Sequence, residues 1–125
     1  DSYFKLREDA FFIYKEYARG FIERKENLAL VYVDDKVRGY LFAEKRLRSP
    51  VYDDEITGNI CDISVSEKNR RKGIGSGLLR YAENWFYFQD VKNIELTAAV
   101  NNPVSMKIKK KAGYLQSTVR LLKKL

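Results

Sequence analysis

The order of apolar and polar segments predicts an α/β (α+β) chain built on one mixed, mostly antiparallel sheet flanked by helices. Three observations predict it. The chain opens on a helix-like stretch, two apolar runs then face each other across a three-residue charged turn, and the second half alternates strand, helix, strand, helix, strand patterns. The paired runs predict a hairpin, and the alternation adds crossover units to it. At 125 residues this reads as a single domain, residues 1–125, with a modest core.

Each element has its own signal. Residues from about 6 to 25 carry Phe11, Tyr14, Ala18 and Ile22 at helical spacing, with Glu8 and Asp9 near the start and Arg24 and Lys25 near the end. That placement of charge suits the helix dipole. "LALVYV" (28–33) reads as a strand, "DDK" (34–36) as a turn, and "VRGYLFAEKRL" (37–47) as the returning strand. "RSPVYDDE" (48–55) is a loop by its proline and acidic cluster. "ITGNICDISVS" (56–66) is a third strand. A helix from Gly73 to about Gln89 puts Ile74, Leu78, Ala82, Trp85 and Phe86 on one face. "IELTAAV" (94–100) is a fourth strand, a short helix runs from Asn102 to about Lys111 and closes at Gly113, and "YLQSTVRLL" (114–122) is a final strand.

Composition narrows the chemistry. The chain has no histidine and one cysteine, Cys61, which excludes a Ser-His-Asp triad, an internal disulfide and an ordinary zinc site. A lone thiol without a His partner reads as a strand residue rather than a nucleophile. No metal is expected. A cytoplasmic location is the default for such cysteine usage, and no apolar run is long enough for a membrane span. The chain begins at Asp1, so an N-terminal strand is a candidate missing piece. Net charge is +7, and from Leu96 onward there are seven cations and no acid. Such a patch attracts polyanions, including nucleic acid and phosphorylated cofactors.

"RRKGIGSG" (70–77) joins the third strand to its following helix. Amides at a helix N-terminus make an anion site, so the loop's position implies phosphate binding. It lacks the Walker A pattern. Its G-x-G-x-G spacing, and the roughly seven residues between strand and glycine, do not fit the dinucleotide fingerprint.

The stretch "DISVSEKNRRKGIGSGLL" resembles motif A of the GNAT superfamily of N-acetyltransferases, with Arg70, Gly73 and Gly75 filling its [Q/R]-x-x-G-x-[G/A] positions. "NPVSMKIKKKAGY" (102–114) resembles that family's later motif, matching at Asn102, Ile108, Lys111, Gly113 and Tyr114 in identity or kind. The resemblance implies a sheet whose central strands splay apart. Acetyl-CoA then lies with its pyrophosphate on the amides of Arg71, Lys72, Gly73, Ile74, Gly75 and Ser76. Its pantetheine arm pairs with Ile63, Ser64 and Val65, and Asn102 lies against that arm. It also implies direct acetyl transfer to a primary amine, from a protein or a small molecule. Arg71 and Lys72 add cationic charge beside the phosphates. Asn102 before Pro103 is equally a plain helix N-cap.

The catalytic positions are less regular. The family's acid tyrosine falls on Lys109, which can stabilise a leaving thiolate or stand as one of the solvated Lys109–Lys111 run. A lysine-like amine is about one part in a thousand neutral at pH 7, which costs roughly 4 kcal/mol and calls for a base. Asp62 is the best-placed carboxylate, and Asp54 or Glu55 of "DDE" (53–55) are alternatives. "WFYF" (85–88) reads as core with an exposed edge, a candidate homodimer contact. Two other functions stay open: an acyl-CoA-binding protein without turnover, and a basic nucleic-acid-binding module, the less favoured because no such motif is visible.

Overall fold

The computed structural model describes residues 10–47, 56–97, 103–117 and 121–125. The elements run α1 (Ala10–Glu23), β1 (Leu28–Val33), β2 (Val37–Leu47), β3 (Ile56–Val65), α2 (Ile74–Tyr87), β4 (Ile94–Leu96) and α3 (Pro103–Lys111), with one turn of 3-10 helix at Glu67–Asn69. The four strands form one sheet in the order β1-β2-β3-β4. The first two pairings are antiparallel and the third is parallel, as a strand–helix–strand crossover requires.

The hairpin forms where the sequence places it. Asp34 donates its amide to the Lys36 carbonyl at 3.2 Å across the turn. Arg38 folds back onto the Asp34 and Asp35 carboxylates at 2.8 and 2.6 Å, so the charged tip is compensated within itself.

Strand alternation then assigns two faces. Leu41 and Ala43 of β2 and Ile60 of β3 are buried with Leu78, Leu79, Ala82 and Phe86 of α2, and with Val91. Ile74 and Trp85 pack at the margin of that core, so the predicted face of α2 is the one that is used. Phe86 is fully buried and lies flat on β3: a Cβ on Gly58 would come within 2.9 Å of three of its ring carbons. The absence of a side chain at Gly58 is what lets the ring sit on the strand.

On the opposite face, Phe42 stacks on Phe21 of α1 with ring centroids 5.0 Å apart. The sheet is therefore covered by α1 on one side and α2 on the other. The expected apolar stripe of α1 is corrected here. Phe21 is buried at 4% exposure, whereas Ile22 is 58% exposed. Both are apolar, and the available partner, Phe42, decides which one turns inward.

Two strand expectations also change. The fourth strand pairs only over Ile94–Leu96, and residues 98–100 lie outside the described residues. The final strand is not formed among the described residues of 114–122, where Leu115 and Leu121 are 90% and 88% exposed. Apolar side chains make a strand only against a sheet edge, and no described edge pairs with them.

Candidate active site

The site begins where two strands part. β3 pairs with β4 over three positions, Gly58↔Ile94, Asn59↔Glu95 and Ile60↔Leu96. Beyond Ile60, β3 runs on to Val65 with its ladder directed only to β2 among the described residues. A β-bulge marks the parting: Phe42 pairs with Asp62 but Ala43 pairs with Ile60, which leaves Cys61 as the extra residue. Bulges bend the strand that carries them, and this one lies where the parallel pairing ends.

The register orients the backbone beyond the bulge. The Ser66 amide donates to the Arg38 carbonyl at 2.8 Å. Antiparallel alternation then turns Ser64 and Asp62 toward β2, and turns the N–H and C=O groups of Ile63 and Val65 away from it. Those groups form an extended edge facing the space beside β4. Arg70 Nε donates to the Val65 carbonyl at 3.2 Å, so the first cation of the loop braces the end of this strand.

The glycine loop follows. Asn69 is buried, and its Nδ2 donates to Ser66 Oγ at 2.7 Å, which closes the turn. Arg71 and Gly73 take positive φ values of 65° and 80°. Gly73 is the N-cap of α2 and supplies no side-chain cap. The first intrahelical bond runs from Gly77 N to Gly73 O at 3.0 Å, so the amides of Ile74, Gly75 and Ser76 have no intrahelical acceptor. Nothing lies within 4 Å of where a Gly73 Cβ would stand. The loop thus presents an open row of donors at the positive end of a helix, beside exposed Arg70, Arg71 and Lys72.

Asp62 lies on the α1 face of the sheet. It is half-buried, and the Tyr40 hydroxyl donates to its Oδ2 at 3.1 Å. Glu44, two strand positions beyond Phe42, is held by Arg46 at 3.1 Å. Burial, then the Glu44 charge, pushes the Cys61 thiol up to about 11. Asn59 Nδ2 donates to its sulfur at 3.4 Å. The thiol is therefore held in its protonated form at neutral pH, the weaker form for nucleophilic attack. The Tyr17 phenol of α1 is raised by burial first, then by the Cys61, Glu44 and Asp62 charges. Tyr17, Tyr40 and Glu44 thus join the predicted Asp62 in one acidic, aromatic neighbourhood. The period-two spacing of Tyr40, Phe42 and Glu44 was the available signal, but only the bulged register places it against Asp62.

On the far side of the parting, Lys109 of α3 donates its Nζ to the Thr97 carbonyl, just past β4, at 3.5 Å. It is half-buried, and burial lowers its pKa, while Lys107, Lys110 and Lys111 are exposed. The lysine run is therefore not uniformly solvated. The chain leaves α3 through Gly113, φ 97°, and Tyr114 donates its hydroxyl to Glu83 Oε2 of α2 at 2.8 Å. Burial, then the Glu83 carboxylate, holds that phenol well above its usual value. Asn102 and the acidic loop Asp53–Glu55 lie outside the described residues. Among the described residues no cluster of three metal-ligating side chains occurs, and no helix is long and apolar enough to cross a membrane.

Comparison with known proteins agrees with this arrangement. The profile of the Acetyltransferase (GNAT) family matches residues 1–114. No match was found among curated proteins. Among solved structures, a protein of Pyrococcus furiosus described as a putative acetyl transferase is 26% identical, with a TM-score of 0.80, over 98% of this chain and 82% of its own. The aminoglycoside 6′-N-acetyltransferase AAC(6′)-Ig of Acinetobacter haemolyticus is 22% identical, with a TM-score of 0.76, over 96% of this chain and 86% of its own. AAC(6′)-Iy, solved with the bisubstrate analogue CoA-S-monomethyl-acetylneamine, is 16% identical, with a TM-score of 0.74, over 95% and 81%.

Proposed function

The chain belongs to the acetyltransferase (GNAT) family, whose co-substrate is acetyl-CoA, and on that premise we propose that its parted strands and glycine loop transfer an acetyl group from acetyl-CoA directly to a cationic primary amine. One observation carries the reading: β3 leaves β4 at a bulge and runs, with an edge that no described strand pairs, into an uncapped helix N-terminus. A long ligand with a peptide-like arm and a pyrophosphate fits those two features together.

In this reading the amides of Ile74, Gly75 and Ser76 hold the pyrophosphate, with Arg71 and Lys72 adding charge. The Ile63 carbonyl and the Val65 amide pair with the pantetheine arm, and the Ile63 amide polarises the thioester carbonyl. Asp62 takes the ammonium proton, directly or through water, with its carboxylate held by the Tyr40 hydroxyl. The neutral amine attacks the carbonyl carbon, a C–N bond forms, the C–S bond breaks, and coenzyme A departs as a thiolate while the nitrogen releases its second proton to water. Lys109 lies beyond the other strand, and its ammonium stabilises that thiolate or protonates it. A lysine with a lowered pKa is the better acid for this step.

The test is isothermal titration of acetyl-CoA into the full chain, followed by coenzyme A release with a panel of amines. An aminoglycoside joins the panel because several structural neighbours are named for that acceptor. A polyamine and peptides with free α- and ε-amines complete it. Micromolar binding and amine-dependent release of the thiol are expected. Absence of binding overturns the reading. Binding without release by any amine favours a second reading, an acyl-CoA-binding protein, for which lysine in place of the family's tyrosine is the specific observation.

A further inference from the structure

The acceptor's reacting amine meets Asp62 in the proposed reaction, and the α1 face of the sheet sets what surrounds it there. Four aromatic rings run in contact beside that carboxylate. Tyr40 lies 5.2 Å from Phe42, Phe42 stacks on Phe21 at 5.0 Å, and Phe21 lies 6.2 Å from Tyr17, between ring centroids. The two phenylalanines are buried, and the tyrosines form the two ends of the row. Tyr17 is 51% exposed, so part of the row stays open to a ligand.

A second carboxylate stands on the same face. Asp62 pairs with Phe42 across the strands, and Glu44 is two positions beyond Phe42 on β2, so the two acids are diagonal neighbours about 7–8 Å apart. Tyr17 of α1 feels the charge of both. Arg46 Nε reaches Glu44 at 3.1 Å, and the Cys61 thiol lies beside it. A carboxylate has about four acceptor positions, so Glu44 can take a further donor. The Arg46 side chain is 59% exposed, and an ion pair so open to water is weak and readily replaced. In a chain of net charge +7, two carboxylates against one arginine draw cations to this face.

A lone ammonium needs only one of these acids. Two acids at this spacing, beside an aromatic surface, suit two ammonium groups joined by an apolar stem. With bonds of about 1.5 Å, four carbons hold two terminal nitrogens about 6 Å apart, which lets each nitrogen meet its own carboxylate while the stem lies on the rings. We infer that the acceptor is an aliphatic α,ω-diamine, with its reacting amine at Asp62, its methylenes along Tyr17 and Tyr40 and its second ammonium at Glu44. The inference rests on the proposed acetyl transfer and adds to it the acceptor's class and two specificity residues, Glu44 and Tyr17.

The experiment follows coenzyme A release by the full chain with four acceptors: a four-carbon diamine, the matching amino alcohol in which a hydroxyl replaces the second amine, a lysine-containing peptide and an aminoglycoside. The diamine's kcat/KM should exceed that of the amino alcohol by about tenfold or more, because only the diamine offers Glu44 a charged donor. Glu44→Gln, close in shape, should lower the diamine's kcat/KM about tenfold and bring the ratio of these two substrates near one. Tyr17→Leu should lower it about two- to fivefold through KM, and Tyr17→Phe should keep the wild-type value, since the ring and not the hydroxyl makes the contact. Arg46→Ala should raise it about two- to threefold by removing a competing cation. Thermal melts check that each variant is folded. Equal kcat/KM for diamine and amino alcohol, a ratio that Glu44→Gln leaves as in wild type, or a higher kcat/KM for the peptide or the aminoglycoside than for the diamine overturns the inference while acetyl transfer stands. Release with none of the amines overturns both.

Discussion

Replacing Gly73 with aspartate separates the loop's role in folding from its role in binding. The folded state should barely register the change. A non-glycine residue at φ 80° costs about 1–2 kcal/mol. The new Cβ meets nothing within 4 Å, so no steric cost is added. An acid in the first turn of a helix returns about 0.3–1 kcal/mol through the dipole. Net stability should change by about 1 kcal/mol or less, a shift of a few degrees in Tm. Ligand affinity should change far more. A carboxylate about 4 Å from a phosphate at an effective dielectric of 20 is repelled by roughly 4 kcal/mol, and halving that for the exposure of this loop still leaves about 2 kcal/mol. The acetyl-CoA Kd should therefore rise by roughly 30-fold to 1,000-fold. Gly73→Ala is the control, with the same strain and no charge, and should lose several-fold less. Raising ionic strength should narrow the gap between the two variants, because the repulsion is screened. Titration calorimetry and thermal unfolding read both quantities. A folded Gly73→Asp protein that binds acetyl-CoA within threefold of wild type would refute the placement of the pyrophosphate on this loop.

Four further outcomes are expected. Gly58→Ala drives a methyl to 2.9 Å from the Phe86 ring and should destabilise the fold by about 1–3 kcal/mol in urea, with partial recovery when Phe86→Leu is added. Cys61, held near 11, should be about one part in a thousand thiolate at pH 8 and alkylate far more slowly than after unfolding. Because its folded pKa exceeds the ordinary value of 9, its contribution to stability is fully present below pH 9 and declines as pH rises toward 11. Lys109→Ala should lower kcat about 10- to 100-fold with little change in KM, and should remove the decline in kcat expected of wild type as pH rises through the lowered lysine range. Unchanged kcat with an intact alkaline limb would strip Lys109 of a chemical role. Tyr114→Phe leaves the half-buried Glu83 carboxylate without its 2.8 Å donor and should cost about 1–2 kcal/mol of stability. A melting temperature equal to wild type would count against that tie.

Local pattern was enough for much of this fold. β1, β2 and the turn between them fall on residues 28–47 as the apolar runs and the "DDK" triplet require, because a hairpin is set by near-neighbour chemistry. The inward face of α2 follows from its 3.6-residue period, since only one stripe of that helix is apolar. The glycine loop's place was legible for the same reason: glycines and cations between a strand and a helix mark an uncapped helix N-terminus, which is what Gly73 forms. Where two apolar neighbours competed, as Phe21 and Ile22 do, the sequence was silent, because the choice belongs to Phe42 on another element.

What the sequence by itself determined, then, was the order of elements through α3 and the position of the glycine loop at the start of α2, both written in contiguous residues. The tertiary structure alone decided the rest. The bulge at Cys61 fixes where β3 and β4 part and which backbone groups face the space between them. Pairing register sets Tyr40 against Asp62, 22 positions away, and the docking of α3 singles out Lys109 from a uniform lysine run. Each of these depends on which distant segment lies alongside, and a one-residue shift in the register of β2 on β3 would send Tyr40 or Asp62 to the other face.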